Sequence, residues 1–216
     1  MKYNALKLFG KDILEQANGF SRLCTEGKRW HGSTLLITLD ACLDSTGLNY
    51  FSVVVPKVIE FDRKYVKTGL IKRCSDFHLI ENKKLLEMFK NERVWNAMSQ
   101  ICNFLSSEKN NQEFKRLREW AVKADPHNLK KDSIGRIKGV GISTFQYLRI
   151  QCGIDTIMPD KVIAKWISSN FVVVKTPYEC IEKGMKISHL LGITGIELCW
   201  AIWIKESGEL DKIAIE

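Results

Sequence analysis

Residues 128–170 read NLKKDSIGRIKGVGISTFQYLRIQCGIDTIMPDKVIAKWISSN, and this stretch decides how the rest of the chain is read. A polar, basic run able to form a short helix leads into the tight turn Gly139-Val140-Gly141. Ile142–Cys152 then carries Phe145, Leu148 and Cys152 at helical spacing, and Pro159-Asp160 opens a third pattern with Val162, Ile163, Trp166 and Ile167. Glycine in such a turn permits φ > 0 and lets the backbone come close to a ligand, while the amides that open the second helix can face a negative group. Lys138 adds a charge. Between Lys123 and Arg149, six Lys or Arg stand against Asp125 and Asp132, a surplus of four that makes up half the net charge of +8. Cations gathered near a polyanion gain by releasing its condensed counterions, so the excess favours a phosphate partner.

The turn is not a nucleotide motif. Thr144 stands where a dinucleotide fingerprint needs its third glycine, no strand precedes it, and there is no G-K-[ST]. Taken alone it suits a plain helix-to-helix connection equally well. Asp160, 19 residues after Gly141, reads as the N-cap of the next helix. That position is expected to lower its pKa and keep it charged, as is required of a group that stabilises a cationic, oxocarbenium-like sugar or orients a water against it.

Outward from this stretch the pattern is helical. Ala5, Leu8, Phe9, Ile13, Leu14 and Ala17 predict an amphipathic helix ending near Asn18-Gly19, and Ser33 can cap a helix over Thr34–Leu43. Leu48–Lys67 begins β-like at Phe51–Val55, yet Val54, Val58, Phe61 and Tyr65 continue at helical spacing through Pro56, which favours a kinked helix. One or two helices are expected over 82–106, and another over 111–123 stopped by Asp125-Pro126. Thr176-Pro177-Tyr178-Glu179 and Thr194-Gly195-Ile196-Glu197 are capping boxes. An all-α protein of roughly nine to eleven helices follows, with Phe171–Val174 as a strand in reserve.

The 216 residues, 45% hydrophobic and 27% charged, suit a soluble globular chain, and its longest apolar runs fall far short of a membrane span. Seven cysteines, at 24, 42, 74, 102, 152, 180 and 199, form no C-x-x-C pair, so a disulfide framework, a zinc knuckle and an iron–sulfur site are not indicated and a reducing, intracellular compartment is expected. His31, His78, His127 and His189 form no H-x-x-x-H pair. The basic residues Lys57, Arg63, Lys64, Lys67, Lys72 and Arg73 can either follow a phosphate backbone or form a solvated face.

The order of helix, Gly-Val-Gly hairpin, helix, Pro-containing loop and aspartate resembles the helix-hairpin-helix, Gly/Pro…Asp superfamily of DNA glycosylases, specifically over residues 128–170. The resemblance implies a two-lobed helical fold spanning residues 1–216, with double-stranded DNA carrying a damaged or mismatched base as partner and a monomer as the working form. It implies a hairpin at Lys138, Gly139, Val140, Gly141 and Ser143 holding a backbone phosphate, and Asp160 acting at C1′ of a flipped-out nucleotide. No cofactor is required, although a monovalent cation can sit on the hairpin carbonyls. Ser143 stands where many bifunctional members carry the lysine that cleaves the strand, so base release without lyase activity is expected. The histidine frequent two residues after the aspartate is Val162 here, and the four-cysteine cluster of some members is absent.

Base flipping asks for a pocket between lobes and a wedge for the vacated stack. Tyr50, Phe51 and Trp166 are the foremost candidates, with Trp95 and Trp120 behind them; each also fits an ordinary core position. Three rival readings stay open: a non-catalytic hairpin protein in which Asp160 only caps, a bifunctional glycosylase using a lysine elsewhere such as Lys138 or Lys161, and a small-molecule enzyme unrelated to DNA, which the basic surplus around the hairpin disfavours.

Overall fold

The computed structural model describes residues 4–106 and 112–208, and every regular element among them is helical. Eleven α-helices follow in order: α1 (Ala5–Phe9), α2 (Lys11–Thr25), α3 (Thr34–Asp44), α4 (Val55–Phe61), α5 (Asn82–Met88), α6 (Glu92–Ser106), α7 (Glu113–Lys123), α8 (Ile142–Gln151), α9 (Lys161–Asn170), α10 (Pro177–Leu191) and α11 (Gly195–Ser207). The first expected helix is two. Gly10, at φ +83°, breaks the path after Phe9, whereas Asn18-Gly19 lies inside α2. The helix continues past Gly19 because Phe20 and Cys24 are buried, and Phe20 stacks on Trp200 of α11 at 4.4 Å between ring centroids.

Leu48–Lys67 is helical as expected, but α4 is flanked by π-helical turns at Tyr50–Val54 and Asp62–Val66. Pro56 lies near the start of α4, directly after the first π-helical turn, and Val54, Val58, Phe61 and Tyr65 are all buried. The region 82–106 splits into α5 and α6. Asp125-Pro126 ends α7 and also opens a 3₁₀ segment over Pro126–Lys131, with Asp125 accepting from the His127 amide at 3.0 Å. Phe171–Val174 is loop, not strand: Val172 and Val173 are exposed, and the Val174 amide donates to the Ser168 hydroxyl at 3.1 Å. The Thr194 box is complete, while Glu179 reaches the Lys175 amide at 3.2 Å instead of that of Thr176.

The chain forms two compact units, one of residues 1–29 and 149–216 and one of residues 30–148, with the boundary inside α8. In the first, α2 packs along α11, and α9 and α10 pack on α11 and on each other. Arg29 is buried here, its guanidinium carbon 5.2 Å from the centre of the Phe20 ring and 5.6 Å from that of Trp200. In the second, α3 and α6 form the centre, with α4 on α3 and α7 on both. All seven cysteines are free and buried. Among the described residues no single helix is long and apolar enough to cross a membrane.

Candidate functional site

The glycine turn belongs to the unit of residues 30–148. The basic run before it is not a regular helix. Asp132 takes charge of the local backbone: its Oδ1 accepts the amides of Ile134 and Gly135, both at 2.8 Å, and its carboxylate accepts the Trp120 indole N–H at 2.9 and 3.0 Å. One turn closes when the Arg136 amide donates to the Asp132 carbonyl, and the Val140 amide then donates to the Ile137 carbonyl at 2.9 Å. Val140 therefore spends its amide internally and buries its side chain. Gly141 and the first turn of α8 come next, and the opening amides of a helix have no acceptor within it.

The two glycines are required for different reasons. Gly139 sits at φ +106°, and a Cβ there would lie 3.1 Å from Arg93 Cγ and 3.3 Å from Ala97 Cβ on α6. Its identity is dictated by the fold. Gly141 has no positive φ, is exposed, and a Cβ there would meet nothing within 4 Å. Its carbonyl accepts from Phe145, which makes it the N-cap of α8, a place where serine serves better than glycine. We expect Gly141→Ser to leave the melting temperature unchanged or raised; if the turn holds a phosphate backbone, as the resemblance implies, binding to duplex DNA should weaken severalfold. Fluorescence anisotropy beside thermal melting checks this, and undiminished binding would mean that no ligand approaches the turn closely.

The charges around the turn are disposed unlike those on and after α4. On and after α4, Lys57 and Lys64 pair with Glu60, Lys67 with Asp62 and Arg73 with Asp76, so that basic edge is largely a solvated, internally paired face. Arg93, Lys130, Lys131, Arg136 and Lys138 are exposed, and among the described residues none of them makes an ion pair. A shallow open groove lined by Gln100, Asn103, Phe104, Ser133, Arg136 and Ile137 lies beside them. Ser143 is half-buried in the first turn of α8.

Asp160 belongs to the unit of residues 1–29 and 149–216 and caps α9. Its Oδ1 accepts the Ile163 amide at 2.7 Å, as an N-cap should. Its Oδ2 accepts the indole N–H of Trp203, on α11, at 2.8 Å. The expected lowering of its pKa is overturned. Burial pushes the Asp160 carboxyl above the usual aspartate value, and the amides of Ile163 and Val162 and the Trp203 indole only oppose that shift. Lys161 is exposed beside it.

The three wedge candidates separate. Trp166 is a core side chain, 4% exposed and stacked on Phe9 at 5.1 Å. Tyr50 and Phe51 are half-buried in the other unit, their rings edge to face at 5.1 Å. Tyr50 ends a polar cluster that pattern reading overlooked: Oδ2 of the fully buried Asp40 lies 2.7 Å from the Trp30 indole nitrogen, 3.0 Å from the Tyr50 hydroxyl and 3.2 Å from that of Tyr147. The two tyrosine oxygens are 2.9 Å apart. The signal was present in sequence, since Asp40 is the one charge within TLLITLDACL, an otherwise uncharged, largely apolar run. Trp30 and His31 next to the cluster hold left-handed backbone at φ 51° and 53°, conformations costing about 1–3 kcal/mol each in residues other than glycine.

No family model, curated protein or solved structure matches this chain.

Proposed function

We propose that this chain is a two-lobed helical DNA N-glycosylase of the helix-hairpin-helix type, acting as an intracellular monomer on double-stranded DNA that carries a damaged or mismatched base. The reading rests above all on Asp160. A cap needs one acceptor, yet here both carboxylate oxygens are engaged, one by the Ile163 amide and one by an indole 43 residues away. A second fixed partner and partial burial suit a carboxylate whose direction matters. In the other unit, the exposed cations about Gly141, without an ion pair among the described residues, supply the sequence-independent hold on a phosphate backbone.

In the reaction the base is turned out of the duplex, and the electron pair of the C1′–N bond leaves with it. Asp160 stabilises the sugar cation and directs a water to C1′; the water oxygen forms the new C1′–O bond and the proton it releases ends on the departed base, giving free base and an abasic site. The test is incubation with duplexes bearing oxidised, deaminated, alkylated or mismatched bases, scored for alkali-labile sites with and without enzyme. Absence of such sites on every lesion, together with salt-dependent duplex binding, would favour the reading in which Asp160 is only a cap, which its ordinary bond to Ile163 also fits.

Ser143 in the hairpin argues for simple hydrolysis. We expect borohydride treatment during turnover to trap no covalent enzyme–DNA adduct. An adduct lost on Lys138→Ala or Lys161→Ala would replace hydrolysis with lyase chemistry at that lysine.

A further inference from the structure

We propose that Trp203 is the positioning residue for Asp160: its indole N–H fixes Oδ2 so that the carboxylate acts in one direction and in its ionised form. The inference rests on the glycosylase reading for its catalytic meaning and on geometry for its structural part. Oδ1 is tied to its own helix by the Ile163 amide at 2.7 Å, which leaves rotation of the carboxyl plane to be settled by Oδ2. That oxygen meets the indole at 2.8 Å, from a different helix, so α11 holds what α9 presents. The ring is itself held. Trp203 is half-buried and packs edge to face on the fully buried Trp200 at 5.1 Å.

The surroundings make that bond matter. The charge of Asp160 raises the thiol pKa of Cys180 on α10 and of Cys199 on α11, so both thiols, kept neutral chiefly by burial, lie within its field. Asp155, in the loop before α9, accepts the Ile196 amide at 3.1 Å and adds a second negative charge to this end of the unit. Lys161 is exposed on the first turn of α9 itself. Of the groups acting on the Asp160 carboxyl, burial favours the neutral acid, and only the Ile163 and Val162 amides and the Trp203 indole favour the anion. The indole is the one side chain among those donors, hence the one that substitution can remove.

Trp203→Phe keeps an aromatic ring and deletes the donor. We expect the acid limb of the single-turnover rate of base release to move to higher pH, and the rate at neutral pH to fall about tenfold or more, the weight of one charge-assisted hydrogen bond. Duplex affinity should stay unchanged. Trp203→His, which restores a ring N–H, should recover part of the rate. A folded Trp203→Phe protein whose acid limb and rate match wild type overturns the proposal.

A second readout needs no activity. The Trp203 indole proton resonance should shift with pH at the same midpoint as the Asp160 side-chain carbon, and lose that shift in Asp160→Asn. An indole signal indifferent to pH also overturns the proposal. If the two signals titrate together but wild type releases no base from any lesion, the pairing stands and it is the glycosylase reading that fails.

Discussion

Asp160→Asn should lower the rate of base release by about 100- to 1,000-fold while leaving duplex binding intact, the usual scale for removing one preorganised electrostatic group from a transition state. Asparagine is as good an N-cap as aspartate, so the Ile163 bond can persist. It offers only one acceptor, however, and its NH₂ must then face either the Ile163 amide or the Trp203 indole, donor against donor. The loss of stability should be modest, about 1–2 kcal/mol.

Its pH dependence separates the two contributions. Because burial raises the Asp160 pKa in the fold, the folded state holds that proton more tightly than the unfolded chain does. The stability this contributes is full below the unfolded pKa and is lost as pH rises through the higher folded value. Wild type should therefore lose a little stability on going from acid through that window, and Asp160→Asn should not. On the proposed mechanism activity should run the other way, falling as acid protonates the Asp160 carboxylate. A variant that melts normally and still releases base at the wild-type rate would remove Asp160 from the mechanism.

The largest loss of stability is expected at Asp40. Asp40→Ala should lower stability by about 2–4 kcal/mol, seen as a fall in the urea midpoint at unchanged slope. The change takes from the buried Trp30 indole N–H the acceptor 2.7 Å away and from the Tyr147 hydroxyl the acceptor 3.2 Å away. The left-handed backbone at Trp30 and His31 loses one of the bonds that hold it. Tyr50→Phe, at the half-buried end, should cost only about 1 kcal/mol, because its hydroxyl leaves the two buried donors in place. Equal losses in the two variants would mean that Asp40 acts through Tyr50 alone.

Helical class and most element positions were legible because buried residues recur at helical spacing wherever a helix packs on one face, as Val94, Trp95, Met98, Ile101 and Cys102 do on α6. The caps at Ser33, Asp160, Thr176 and Thr194 were legible for an equally local reason, since each bond spans three residues. What escaped reading was set by distant partners. Gly19 suggested a stop, but burial of Phe20 against Trp200 carries α2 onward. The capping position of Asp160 suggested a lowered pKa, but burial outweighs the helix end. Trp203 carries no mark in sequence, since nothing in GIELCWAIW says which tryptophan will meet a carboxylate 43 residues before it. Trp166 illustrates the converse, an aromatic beside a candidate site that simply packs on Phe9.

The discontinuity of the first unit orders events during synthesis. Its parts are interrupted by the whole of residues 30–148, and α2 meets α11 only across contacts such as Asn18 to Glu197, 179 residues apart at 2.6 Å. On the ribosome, α1 and α2 emerge before residues 30–148, yet Phe9 must wait for Trp166 and Phe20 for Trp200. The intervening unit can collapse in the meantime, shortening the loop that must close before α2 docks. The amphipathic α2, with Ala17, Phe20 and Cys24 bared, is thus open to chaperones and to misassociation until α11 has been made, and synonymous changes that slow translation between the two should lengthen that exposure.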